Sequence, residues 1–190
     1  MPNLYIIAGC NGAGKTTASL TILPEILNCS QFVNADYIAA GLSPFDVDSV
    51  AIEAGRIMLH RIEELIELRE DFAIETTLAI RSYVSLIRRV KPLGYKVTLI
   101  YIWLSSPQIA IQRVADRVKG GGHNIPQEVI ERRYINGIKN LFNLFMPICD
   151  TWILADNTYG QLDNVARKED FENVIENTEL WAIINKQVNG

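Results

Sequence analysis

Residues 4–17 read Leu4-Tyr5-Ile6-Ile7-Ala8-Gly9-Cys10-Asn11-Gly12-Ala13-Gly14-Lys15-Thr16-Thr17, an apolar run that breaks into glycines and ends on a lysine and two threonines. The run from Leu4 to Ala8 is unbroken rather than alternating, the mark of a strand covered on both faces. Gly9 to Thr16 then has the spacing G-x-x-x-x-G-K-T. Glycines there let successive backbone N–H groups converge on an anion, and a helix starting near Lys15 adds the positive end of its dipole. In such a loop the lysine reaches the β- and γ-phosphates and the first threonine hydroxyl is placed on Mg²⁺. Gly9, Cys10, Asn11, Gly12, Ala13, Gly14, Lys15, Thr16 and Thr17 are therefore the expected nucleotide-binding segment, with Thr16 the metal ligand. A glycine-rich turn without a ligand has no need of the Gly-Lys-Thr order. A dinucleotide fingerprint needs G-x-G-x-x-G, whereas the glycines here run G-x-x-G-x-G, so Asp36 is not read as a ribose acid. Cys10 lies near the helix N-terminus, whose field is expected to favour its thiolate.

Outward from that loop the chain alternates strands and helices. Lys15 to Leu27 is helical, with Pro24 a disturbance. Gln31 to Ala35 is a second strand with Asn34 and Asp36 at its C-terminal end, and Gly41 to Pro44 a loop. Val47 to Leu68 has the clearest helical period, Asp71 to Glu75 is strand three, and Ser82 to Leu93 is a helix stopped by Pro92 and Gly94. Val97 to Leu104 is strand four. Ser105-Ser106-Pro107 caps a helix to about Val118, the glycines at 120–122 break it, and a further helix follows Pro126. Asp150 to Ala155 is strand five, followed by a polar corner, Asp156-Asn157-Thr158. The rest, with Phe171, Val174, Ile175, Leu180, Ile183 and Ile184, reads as helix. The expected fold is α/β, a P-loop NTPase/kinase fold with a five-stranded mainly parallel sheet flanked by helices. It is expected as a single domain over 1–190, with a small lid at about 113–133.

Composition narrows the function. The chain has 190 residues, 48% hydrophobic and 21% charged, enough for one sizeable core. Its net charge is −4, from 18 Lys plus Arg against 22 Asp plus Glu, which argues against broad nucleic-acid binding. The longest strongly apolar run, Val97 to Leu104, is far short of the ~20 residues that cross a bilayer. With no basic leader before the first strand, the expectation is a cytoplasmic protein without membrane contact. Cys10, Cys29 and Cys149 form neither a disulfide framework nor a zinc spacing, and His60 and His123 are too few for a histidine metal centre.

A guanine switch would carry N-K-x-D after a late strand, and a motor or transport ATPase an apolar strand ending in Asp; strand four instead ends in Ser105-Ser106-Pro107. The acids at strand ends are Asp36 and Glu75, which should face the crevice at the carboxyl edge of the sheet. That layout suits a kinase using ATP and Mg²⁺ on a small hydroxyl compound, since phosphoryl transfer needs cations, Mg²⁺ and a residue that orients the attacking hydroxyl. Asp36 is read as that residue, or else as an N-cap or Asx-turn acid at a strand end. Glu75 is read as a contact to the acceptor or to a magnesium-bound water, or else as one half of a salt bridge at the sheet edge. Arg113 and Arg117 lie four apart on one helical face beside the Lys119–His123 segment, a basic and flexible lid; Arg132 and Arg133 follow it. The alternative reading of each arginine is a solvated surface charge, less so for Arg113 than for Arg117, Arg132 and Arg133.

GCNGAGKTT at 9–17, VNADYIAAGLSP at 33–44, IETTL at 74–78, WLSSP followed by QRVADRV within 103–118, and GGGHNIP at 120–126 together resemble the zeta-toxin-like P-loop kinases, over about residues 4 to 157. The resemblance implies transfer to the 3′-hydroxyl of the amino sugar in UDP-N-acetylglucosamine. It makes Asp36 the catalytic base, Lys15 the phosphate lysine, Glu75 and Thr77 substrate contacts, and Arg113 a transition-state cation. An arginine of the family falls here on Ala79, with Arg81 two residues on as the substitute substrate contact. Another falls on His123, so the second cation comes from Arg117, Arg133 or a protonated His123. An antitoxin-like protein is the implied protein partner. The alternatives are a nucleoside or 5′-hydroxyl kinase, and an ATP-binding partner module with little turnover.

Overall fold

The N-terminal apolar run becomes β1 (Asn3–Ala8), buried from Leu4 onward. It pairs in parallel with β3 (Phe72–Thr76) on one side and β4 (Lys96–Trp103) on the other. β2 (Phe32–Val33) lies outside β3 and β5 (Thr151–Asp156) outside β4, both also parallel. Strands flanked on both sides and covered on both faces have no wet side, which is why β1 and β4 carry long apolar runs. Trp103, Tyr101 and Phe72 are the largest side chains enclosed completely by this sheet. The computed structural model describes residues 1–169 and 172–189.

Among the described residues the sheet has seven strands rather than five, in the order β2-β3-β1-β4-β5-β6-β7. β6 (Asp163–Glu169) and β7 (Glu172–Ile175) add antiparallel to the β5 edge. The helical reading of Val174 and Ile175 is therefore wrong, while Leu180, Ile183 and Ile184 do lie on the last helix, Thr178–Asn189. Phe171 lies outside the described residues. The hairpin is hard to see because β6 buries only Val165 and Ala166, next to each other where strand three-dimensionality calls for alternation. Its charged remainder is tied by Arg167 to Glu169 and Glu176.

The helices otherwise lie close to where periodicity puts them. α1 (Lys15–Thr21) passes into a π-helical turn, Ile22–Ile26, around Pro24. A second correction falls at α2 (Ala35–Leu42): Asp36 stands in the first turn of a helix, and Gly41 and Leu42 end that helix. α3 (Ala51–Glu67) begins a turn later than expected and buries Ala54, Met58, Ile62, Leu65 and Ile66. α4 (Ser82–Val90), α5 (Pro107–Lys119) and α6 (Gln127–Asn140) follow. Ser106 caps α5 by accepting from the Ile109 amide, 3.4 Å.

Candidate active site

Two glycines of the β1–α1 loop are dictated by geometry. Gly9, at φ 142°, would place a Cβ 2.3 Å from the Ile102 carbonyl oxygen of β4, and Gly14, at φ 89°, would place one 2.6 Å from the Asn157 side-chain nitrogen. Gly14 is also the N-cap of α1, and no side chain caps that helix. Lys15 is buried, its Nζ donating to the Cys10 carbonyl at 3.0 Å and standing 3.7 Å from Glu75 Oε1. Glu75 arrives through strand pairing, since β3 runs beside β1 with Ile7 opposite Glu75. Its Oε2 accepts from the Thr16 hydroxyl and from Asn34 Nδ2, both at 2.8 Å. Glu75 does form an ion pair, but with Lys15 of the phosphate loop and on an interior strand of the sheet rather than at its edge.

Asn34 works at both ends of its amide. While its nitrogen holds Glu75, its Oδ1 accepts from the backbone of Asp36 (2.8 Å) and Tyr37 (3.3 Å) and caps α2. Asn34, not Asp36, is the cap. The Asp36 carboxylate is exposed and pairs with nothing among the described residues. Beyond Glu75 the backbone is held tightly: Thr76 Oγ1 accepts from the Leu78 amide (3.1 Å), Thr77 Oγ1 from the Ala79 amide (3.4 Å), and Asn140 Nδ2 donates to the Leu78 carbonyl (2.7 Å). Leu78, buried and not glycine, has φ 55°, a strained conformation of the kind that clusters at functional loops. Arg81 stands exposed at the entry to α4 without a partner among the described residues.

Of the arginines, Arg113 and Arg133 reach the phosphate loop. Arg113 donates to the carbonyls of Gly12 (3.4 Å), Asn157 (2.8 Å) and Thr158 (3.1 Å), and Arg133 to Asn11 Oδ1 (3.2 Å). Arg117 donates instead to the His123 carbonyl at 3.0 Å, bracing the turn between α5 and α6. His123 Nε2 lies 3.3 Å from Asp48 Oδ1. Arg132 is exposed. Asn157, missed in the sequence, donates from Nδ2 to the Ala13 carbonyl at 2.8 Å. The signal for it was available: the polar corner after strand five ends on the same sheet edge as Glu75. The expectation for Cys10 is overturned. Burial pushes its thiol up to about 11, and the nearby Lys15 and Arg113 charges offset this only in part.

A sequence model of the Zeta toxin family matches residues 39–145, more than half of the chain. The chain belongs to the zeta toxin family. This zeta toxin family member is 29% identical over 126 residues to an uncharacterized protein of Haemophilus influenzae, across 66% of this chain and 88% of that one. In fold it resembles a chain of the AvrRxo1-ORF1:ORF2 complex crystallised with ATP, with TM-score 0.76 and 19% identity, over 97% of this chain. It spans only 63% of the length of that AvrRxo1 chain. A chain of the PezAT chromosomal toxin–antitoxin system of Streptococcus pneumoniae superimposes with TM-score 0.70 and 17% identity, over 100% of this chain and 86% of that one. At such identities these two likenesses speak for the fold. No helix among the described residues is long and apolar enough to cross a membrane.

Proposed function

We propose that this zeta toxin family member transfers the γ-phosphoryl group of ATP to a hydroxyl of a small molecule, with Mg²⁺ as cofactor. The observation that carries the reading is the chain of bonds Thr16–Glu75–Asn34–Asp36, which ties the phosphate loop to the residue read as the base. The loop amides of residues 9–17 and Lys15 take the phosphates, and Arg113 and Arg133 supply cations beside them. Thr16 and Glu75 offer a hydroxyl and a carboxylate side by side, hard oxygen donors of the kind Mg²⁺ accepts together with phosphate. When bound, Mg²⁺ neutralises charge on the β- and γ-phosphate oxygens. Asp36, whose carboxylate has no partner among the described residues, takes the acceptor proton as the acceptor oxygen bonds to the γ-phosphorus and the bond to the β-phosphate oxygen breaks, releasing ADP. Thr77 and Arg81 flank the acceptor. The α5–α6 corner, braced by Arg117, is the lid. The toxin–antitoxin system among the similar structures supports an antitoxin-like protein partner.

The test is Asp36→Asn, with Mg-ATP affinity by calorimetry and phosphorylation of a metabolite pool, including UDP-N-acetylglucosamine and nucleosides, by mass spectrometry. Affinity should stay near wild type while transfer falls about 10²-fold or more, as for loss of a general base. Full transfer by Asp36→Asn would move the base to another residue. Weaker Mg-ATP binding, relieved by added Mg²⁺, would make Asp36 a metal ligand.

A further inference from the structure

Arg133, Gly137 and Asn140 are spaced four and three apart on α6, so they share one face of that helix. Halfway along it, Arg133 donates to Asn11 Oδ1 of the phosphate loop at 3.2 Å. At its last residue, Asn140 donates to the Leu78 carbonyl at 2.7 Å, in the turn that follows β3 and carries Thr77. Between the two, Gly137 lets the helix lie directly on that turn. A Cβ there would stand 2.6 Å from the Thr77 carbonyl oxygen and 3.0 Å from the Tyr101 hydroxyl. Here the glycine answers to a close approach of backbone on backbone. One rigid element thus touches both the nucleotide loop and the turn beside Glu75.

The turn is held in a conformation that leucine does not keep unaided. Leu78 is fully buried at φ 55°, where the Cβ of an L-residue crowds its own backbone. Such strain persists only where the surroundings over-determine it. Two bonds come from within the turn: the Leu78 amide donates to Thr76 Oγ1 at 3.1 Å and the Ala79 amide to Thr77 Oγ1 at 3.4 Å. The bond from outside comes from Asn140, 62 residues further along the chain and itself buried.

Resting on the kinase reading above, we infer that Asn140 is a positioning residue: through α6, nucleotide at the phosphate loop fixes the turn from Thr76 to Ala79, and with it Thr77, for the acceptor. Phosphate beside Arg133 gives that arginine a further anchor, which steadies the helix. Gly137 and Asn140 pass the restraint to the turn. This is a coupling between two sites that needs no large movement, because tightening one end lowers the freedom of the other. A second route runs from Thr16 through Glu75 into β3, so the variants that test the inference cut α6 and leave that route whole.

The measurement is hydrogen exchange of the Leu78 and Ala79 amides, with and without saturating Mg-ATP, in wild type, Asn140→Ala, Arg133→Gln and Ile138→Val. Ile138 is buried on the same helix, and its shortening controls for a softer core. Mg-ATP should slow exchange by roughly fivefold or more in wild type and in Ile138→Val, the lower end of couplings between sites. In Asn140→Ala and Arg133→Gln the slowing should fall below about twofold. A residue that only packs would speed exchange in Asn140→Ala equally with and without nucleotide and leave the slowing by Mg-ATP at its wild-type ratio. That ratio kept in either Asn140→Ala or Arg133→Gln overturns the inference. So does a wild-type turn that ignores Mg-ATP, or an Ile138→Val protein that loses the effect too. If Asn140→Ala does not fold, Arg133→Gln decides, since its side chain is half-buried and outside the core. The same proteins are assayed for transfer to UDP-N-acetylglucosamine and adenosine. Transfer by wild type without slowing that depends on Asn140 leaves the kinase reading standing and sinks this inference. Slowing that depends on Asn140, with no transfer to either compound or to the metabolite pool, keeps the connection and sinks the kinase reading instead.

Discussion

Glu75 carries three neighbours on one carboxylate: Thr16, Asn34 and, at 3.7 Å, the ammonium of Lys15. Replacing Lys15 by alanine leaves two neutral donors on Glu75, so the fold should survive while the nucleotide loses its cation. The stabilisation by Mg-ATP, ~2.7 kcal/mol for a ligand at 100 times its dissociation constant, should vanish from thermal melting curves. An equal ATP-induced shift in wild type and Lys15→Ala would rule this out. Cys10, a few residues earlier, shows one force beating another. The loop places cations near it, yet burial wins and pushes the thiol up to about 11. Cys149 is pushed up to about 12, and Cys29 is raised, by burial as well. Native protein at pH 7.5 should therefore react with iodoacetamide slowly at all three positions, Cys10 gaining rate as pH rises toward 11. Rapid labelling of Cys10 at neutral pH, read by peptide mapping, would contradict it. The loop residues were readable in the sequence because their spacing reflects local chemistry. Asn157 and Arg133 were far less so, since each meets the loop only through the sheet and helix packing that brings residues 144 and 122 positions away beside it.

Helix α2 depends on a cap that also reaches the site. Asn34→Ala removes the bonds to the Asp36 and Tyr37 amides and should cost about 1 kcal/mol. Asn34→Asp keeps an oxygen for the cap but sets a carboxylate where the 2.8 Å donor to Glu75 now stands. At neutral pH that puts like charges in contact, so Asn34→Asp should be no more stable than Asn34→Ala despite being the better cap. Chemical denaturation at pH 7 checks this, and an Asn34→Asp protein of wild-type stability would show that the Glu75 bond carries no weight. α2 was invisible in the sequence for the same reason that it matters. It follows a strand of only two residues, and its capping asparagine was read as part of that strand. The β6–β7 hairpin failed differently, because an edge hairpin held by charge pairs offers little apolar alternation to read.

At the far edge of the sheet from the site, Asp150 joins three segments: its carboxylate pairs with Lys91 at 2.7 Å, just after α4, and accepts from the Val97 amide of β4 at 2.8 Å, beside the start of β5. Burial raises this carboxyl, but the bonds from Lys91 and Val97, with the charges of Lys91 and Lys168, outweigh it and hold it below the usual carboxylate range. A carboxyl lowered on folding adds stability that is complete above its unfolded value of about 3.9 and is lost as pH falls from there through the native value. Asp150→Asn should therefore melt below wild type at pH 7, and the gap should close as pH drops below about 4. A gap that stays constant down to pH 2 would remove the ion pair as its cause. The braces of the phosphate loop also set an order in time. A ribosome makes residues 9–17 first, but Arg113 on α5 and Asn157 after β5, which hold Gly12 and Ala13, follow them by 101 and 144 residues. At the usual pace of translation Asn157 follows Ala13 by roughly 7–30 s. Throughout that interval the growing chain carries the glycine-rich segment without the brace from Asn157, so nucleotide rewards the chain only once its later parts are made.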